Sequence, residues 1–112
     1  MKIGFYAPMK APDHPSPSGD RTLARLLIEA MTQAGHDVRL MSQHRSIDIS
    51  GDLENQRKIR EQSAAEAARI LEELQYRSHS IDLWFTYHLF HKAPDWIGPK
   101  VCEGLGIPYV VA

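Results

Sequence analysis

The fold is decided by Lys2-Ile3-Gly4-Phe5-Tyr6-Ala7, Ser18-Gly19-Asp20-Arg21, the run from Leu23 to Ala34, Gly35-His36, and Asp37-Val38-Arg39-Leu40-Met41. The first segment is an apolar strand, and Pro8 stops it because proline has no amide hydrogen to continue a ladder. Pro8, Pro12, Pro15 and Pro17 stiffen the loop that follows. Ser18-Gly19-Asp20-Arg21 opens a helix, with Ser18 or Asp20 to cap its free amides. Leu23, Leu26, Leu27, Ala30, Met31 and Ala34 recur at helical spacing and predict one apolar stripe. Gly35 suits the left-handed residue after the last turn. Val38 and Leu40 alternate with Asp37 and Arg39, which predicts a strand buried mainly on one face and set away from the sheet centre. Strand, glycine turn, helix, strand is the first half of a nucleotide-binding α/β domain, where backbone amides and a helix N-terminus stabilise phosphate.

Working outward, Ser42 to Gly51 is polar and irregular and reads as a loop. Glu54 to Arg77 is free of Gly and Pro and predicts a long helix. Its apolar face (Ile59, Ala67, Ile70, Leu71, Leu74) is narrow, so its N-terminal part is expected to be exposed, mobile, or covered by something outside this chain. Ile81 to Tyr87 predicts a third strand, and Tyr87 to Trp96 an aromatic and basic loop at its C-terminal end. Pro99 starts a short helix through Leu105, Gly106 ends it, and Pro108 to Ala112 forms a fourth strand. The expected architecture is an α/β, Rossmann-like three-layer domain with a mainly parallel sheet of about four strands. Right-handed crossovers and helices on both faces suggest the order 3-2-1-4. The chain stops inside an apolar strand, so residues 1–112 are expected to be the front domain of a longer protein.

With 112 residues the chain holds one small domain with a real core. A net charge of −1 gives no concentrated basic face, so nucleic acid is not an expected partner. No apolar run reaches membrane-spanning length, and a strand begins at Lys2 where a signal peptide would stand. The single Cys102 cannot form an internal disulfide and fits a reducing compartment, so a cytoplasmic protein is expected.

The glycine turn is the first candidate site. Gly19 lets a ligand approach the backbone, the helix behind it offers unpaired amides, and Arg21 adds a charge-assisted bond to phosphate or carboxylate. A capped helix start with one required glycine explains the same residues. His88 lies just past the third strand, on the edge where open α/β sheets bind ligands, and its imidazole can take a proton or donate to a sugar hydroxyl or phosphate. His91 reads as an ordinary loop histidine. Asp13 and His14 sit in the proline loop, which either covers a ligand or packs on the surface. Trp84, Phe85 and Tyr87 read as core and rim, His36 as a cap or polar contact, and Cys102 as a small buried apolar residue. The histidine spacings make no metal motif, so no metal is expected.

Together these pieces resemble the N-terminal domain of a GT-B glycosyltransferase, specifically the retaining glycosyltransferase family 4 (group 1). The matching residues are Phe5-Tyr6-Ala7-Pro8 for its Tyr-x-Pro strand end, Ser18-Gly19 for its Gly-Gly turn, the Leu- and Ala-rich helix Leu23 to Ala34, and Gly35-His36-Asp37-Val38 for its Gly-His-x-Val junction. Thr86-Tyr87-His88 falls where the family has a histidine facing the interdomain cleft. The likeness covers nearly the whole chain, with Ser18 standing in place of the first glycine of the pair.

The resemblance implies a two-domain enzyme whose absent C-terminal domain binds the donor, carries a Glu-x7-Glu motif, and is required for activity. It implies a nucleotide-diphosphate sugar as donor, a saccharide or lipid-linked acceptor, retention of anomeric configuration, and no cofactor or obligatory metal. It assigns His88 to the transferred sugar or its transition state and Gly19 to the donor diphosphate, with Ser18 and Arg21 beside it. The proline loop with Asp13, and the aromatic loop from Tyr87, would form acceptor-side walls. Location at the inner membrane surface, through peripheral contact by the Glu54 region, is a further expectation; a solvated helix face explains that region more simply. Two other readings stay open: a stand-alone flavodoxin-like nucleotide- or phosphate-binding domain, and a non-enzymatic interaction module using the aromatic loop.

Overall fold

In the computed structural model the first strand, β1 (Lys2–Tyr6), is buried from Ile3 through Tyr6, so both of its faces need cover. The structure describes residues 1–8, 19–44, 46, 52–76, 80–87 and 94–112, apart from the side chains of Asp20, Arg21 and Tyr76. After β1 come α1 (Gly19–Gln33), β2 (Asp37–Ser42), α2 (Leu53–Tyr76), β3 (Leu83–Thr86), α3 (Gly98–Leu105) and β4 (Tyr109–Val111). The four strands form an all-parallel α/β sheet in the order β2-β1-β3-β4. The class is therefore Rossmann-like and three-layered, with helices on both faces.

Alternation along the strands sorts the core into two layers. Phe5 and Ala7 face α1 and pack with Ala24, joined by half-buried Leu27, Ile28, Met31, Val38, Leu40 and Phe85. Phe5 stacks on Phe85 with ring centroids 5.6 Å apart. Tyr6 and Trp84 face the opposite side, where Ala67, Ile70 and Leu74 of α2 meet Val101 and Cys102 of α3. Gly4 keeps that layer close, since a Cβ there would lie 2.8 Å from Ile81 Cδ1 and 2.9 Å from Met41 Cγ.

The expected strand order, 3-2-1-4, is corrected: β3 lies beside β1, on the side away from β2. A right-handed crossover that continued outward past β2 would put α2 on the same face as α1. Tyr6 and its neighbours would then be covered by α3 alone. Crossing back over β1 instead places α2 and α3 together on that face. It also leaves β2, with Asp37 and Arg39, at the edge that its polar alternation predicts.

The apolar stripe of α1 is also corrected. Its inward positions are Ala24, Leu27, Ile28 and Met31, whereas Leu23 and Leu26 are 53% and 54% exposed. Helix ends follow the sequence closely. Gly35 has φ 95° after α1, and Gly106 has φ 68° after α3, its amide donating to the Cys102 carbonyl at 2.8 Å. Cys102 is buried, and burial first, then the Asp95 charge, pushes its thiol up to about 11.

Candidate functional site

Parallel strands send all their carboxyl ends to one edge, and the crevice opens where successive helices leave to opposite faces. Here that point lies between β1, followed by α1, and β3, followed by α3. The two strand ends run in register, Tyr6 opposite Thr86, and the Tyr87 amide donates to the Tyr6 carbonyl at 2.9 Å. Helix α1 opens at Gly19 on the same edge.

Three chain segments are tied together beside this crevice. The Ser46 amide donates to the Pro8 carbonyl at 3.0 Å, and its hydroxyl donates to the Pro94 carbonyl at 2.5 Å. Ser46 thereby joins the ends of β1 and β2 to the approach to α3. The Tyr6 hydroxyl donates to the His44 carbonyl at 2.8 Å. Burial, and then the charges of Asp95 and Glu66, hold that phenol protonated far above its ordinary range.

His44 Nε2 lies 2.8 Å from Ser63 Oγ, and the Ser63 hydroxyl donates to the Ile59 carbonyl at 2.7 Å. A serine has a single hydroxyl hydrogen, so with that hydrogen on Ile59 the imidazole donates through Nε2–H. Burial lowers the His44 pKa below its ordinary value, against the opposing pull of Glu66. Ser63 is fully buried, so this Ser–His pair anchors α2 to the end of β2 and offers no nucleophile to a ligand.

Asp95 is the second anchor. One carboxylate oxygen accepts from the Ile97 and Gly98 amides at 2.9 and 2.8 Å. The other accepts from the Thr86 hydroxyl at 2.6 Å and the Tyr109 hydroxyl at 2.7 Å. Thr86 in turn accepts from Trp84 Nε1 at 2.9 Å. The network joins the end of β3 and the first residue of β4 to the first turn of α3, and the charged acceptor strengthens the bonds made to it. Gly98 is required for it, because a Cβ there would come within 2.5 Å of Asp95 Oδ2 and 2.6 Å of Trp84 Nε1.

The residues singled out in the sequence distribute unevenly. Gly19 is the first residue of α1 and Arg21 lies in its first turn. Tyr87 follows β3 directly and lies on the α1 side, half-buried, with its ring 6.3 Å from that of Phe5. Asp13, Ser18 and His88 lie outside the described residues, as does the side chain of Arg21. His44, Ser46, Ser63, Thr86 and Asp95 were not singled out. Asp95 carries a local signal, an acidic residue just before a Gly-Pro helix start. The others carry none, because their partners come from other elements.

Among the described residues, no group of three His, Cys, Asp or Glu side chains converges to hold a metal ion. No helix among them is long and apolar enough to cross a membrane. No protein-family model, curated protein or solved structure matches the chain. The fold and site define a doubly wound parallel α/β domain with a braced carboxyl edge.

Proposed function

We propose that the chain is the acceptor-side, N-terminal domain of a retaining GT-B glycosyltransferase. The full protein would move a sugar from a nucleotide-diphosphate sugar to a saccharide or lipid-linked acceptor, using a C-terminal donor domain outside this chain. The observation that carries the reading is the β1/β3 crevice with α1 opening at its edge, on a chain bearing the Tyr6-Ala7-Pro8, Ser18-Gly19 and Gly35-His36-Asp37-Val38 motifs.

In this reading the Gly19 backbone approaches the donor diphosphate, and Ser18 and Arg21 add hydrogen bonds and charge beside it. Departure of the diphosphate is helped by amides and cations, with no obligatory metal or cofactor. His88 contacts the transferred sugar and stabilises its transition state. Asp13 and Tyr87 belong to acceptor-side walls, and the protein acts in the cytoplasm, at the inner membrane surface when its acceptor is lipid-linked. The braced frame around Ser46 and Asp95 supports such a role, since a reacting sugar must be held with little play.

A second reading is favoured by the strand order. The order 2-1-3-4 is that of flavodoxin-like sheets, which bind a phosphate-bearing ligand at the β1/β3 switch point without group transfer. The natural gene product, given labelled nucleotide-diphosphate sugars, separates the two. Sugar transfer that falls about 100-fold or more in His88→Ala, with unchanged unfolding, supports the glycosyltransferase. Nucleotide binding with no transfer from any donor supports the binding module.

A further inference from the structure

The inner face of α2 runs through Leu74, Ile70, Ala67 and Ser63 against the sheet and α3. Beside that face, about a quarter-turn round the helix, a second stripe runs through Ala64, Arg60, Arg57 and Leu53. Ser63 meets His44 just past the end of β2, so the run back to Leu53 projects about 15 Å beyond the strand ends. There it faces the start of α3 across an open groove of about 490 Å³, lined by Arg57, Arg60, Glu61 and Ala64 on one side and Lys100 on the other.

Both arginine side chains are exposed, on the flank of the helix that borders α3. Arg60 stands two turns before the core residue Ala67, and Arg57 two turns before the half-buried Ala64. The Arg60 guanidinium lies 4.7 Å over the Trp96 ring, which fixes its direction without neutralising it. Among the described residues neither Arg57 nor Lys100 forms an ion pair, and the ion-paired Arg69 sits further along α2 with Glu66 and Glu73. Three cations against the carboxylate of Glu61 leave the groove net positive.

We propose that this groove binds a phosphate-bearing small molecule, with Arg57, Arg60 and Lys100 on the phosphate oxygens. A guanidinium fork matches phosphate geometry and a lysine adds a point charge, whereas a single carboxylate would leave most of the positive charge unmatched. The groove lies on the carboxyl edge, the side on which doubly wound sheets take ligands. This goes beyond the sugar-transfer reading and does not depend on it, since binding is read with no transfer.

The test is a titration of the protein with inorganic pyrophosphate, ionic strength being held constant with chloride, followed by calorimetry and tryptophan emission. A saturable heat, with an emission change that disappears in Trp96→Phe, is expected. Arg57→Gln and Lys100→Gln should each weaken binding by about tenfold while leaving the thermal midpoint unchanged. An identical response to chloride alone, or an affinity in both variants equal to that of the unmodified protein, would overturn the proposal. Co-sedimentation with phosphatidylglycerol vesicles and no response to pyrophosphate would overturn it too, in favour of a lipid surface.

Discussion

Asp95 accepts from two amides and two hydroxyls, and so ties the end of β3 to the starts of α3 and β4. Removing the carboxylate leaves all of these donors without this acceptor in a partly buried place. Asp95→Ala should therefore cost about 2–4 kcal/mol of unfolding free energy by urea titration. A loss within surface-mutation scatter would remove the network from the account. Gly98→Ala drives a methyl group into the same cluster and should cost about 1–3 kcal/mol in the same assay.

His44 acts through pH. Its folded-state pKa lies below the ordinary 6.5, so the unfolded chain binds the proton more readily. The stability that His44 contributes is complete above 6.5 and is lost as pH falls through the folded value. The thermal midpoint should decline on acidification through this window, and less steeply in His44→Gln. Equal slopes in the two proteins would assign the decline to other groups.

At this scale the sequence reveals backbone requirements better than side-chain partners. Gly35 and Gly106 stand where a helix must end, and each has the left-handed φ such an end needs. Ser46 and Pro94, His44 and Ser63, and Asp95 and Tyr109 are 48, 19 and 14 positions apart, so no local pattern announces them.

Among the elements, α1 shows how a periodic pattern can be read one face off. Leu23, Leu26, Leu27, Ala30, Met31 and Ala34 fit a helical stripe, but the sheet accepts the small Ala24 and half-buried Leu27, Ile28 and Met31. Close approach over Phe5 selects alanine at the centre of the contact, and leucine is left outside. Ala24→Leu should thus destabilise by about 1–3 kcal/mol, while Leu23→Ala should change stability by about 0.5 kcal/mol or less. The reverse ranking in chemical denaturation would restore the simpler stripe. Helix α2 was readable in both extent and character: its narrow apolar face predicts an exposed N-terminal part, and Leu53 at its start is 81% exposed. The arginines facing α3 became apparent only once the two helices were set side by side.

For the whole molecule, the class of fold was readable from the alternation of elements, and the strand order was not. Alternation fixes handedness and layers, but not the direction in which the chain turns after β2. That choice is made by the opposite face of the sheet, where Tyr6 of β1 and Trp84 of β3 need two helices for cover. The resulting switch point lies between β1 and β3, and it is there that the proposed sugar chemistry would take place.

The most direct measurement is donor-dependent sugar transfer by the natural gene product, compared with its His88→Ala and Gly19→Val forms across a panel of labelled nucleotide-diphosphate sugars. The account predicts transfer with retained anomeric configuration from at least one donor. It also predicts a loss of about 100-fold or more in His88→Ala, and weakened donor binding or turnover in Gly19→Val. Absence of transfer from every donor, in a protein that is folded and binds nucleotide, would contradict it.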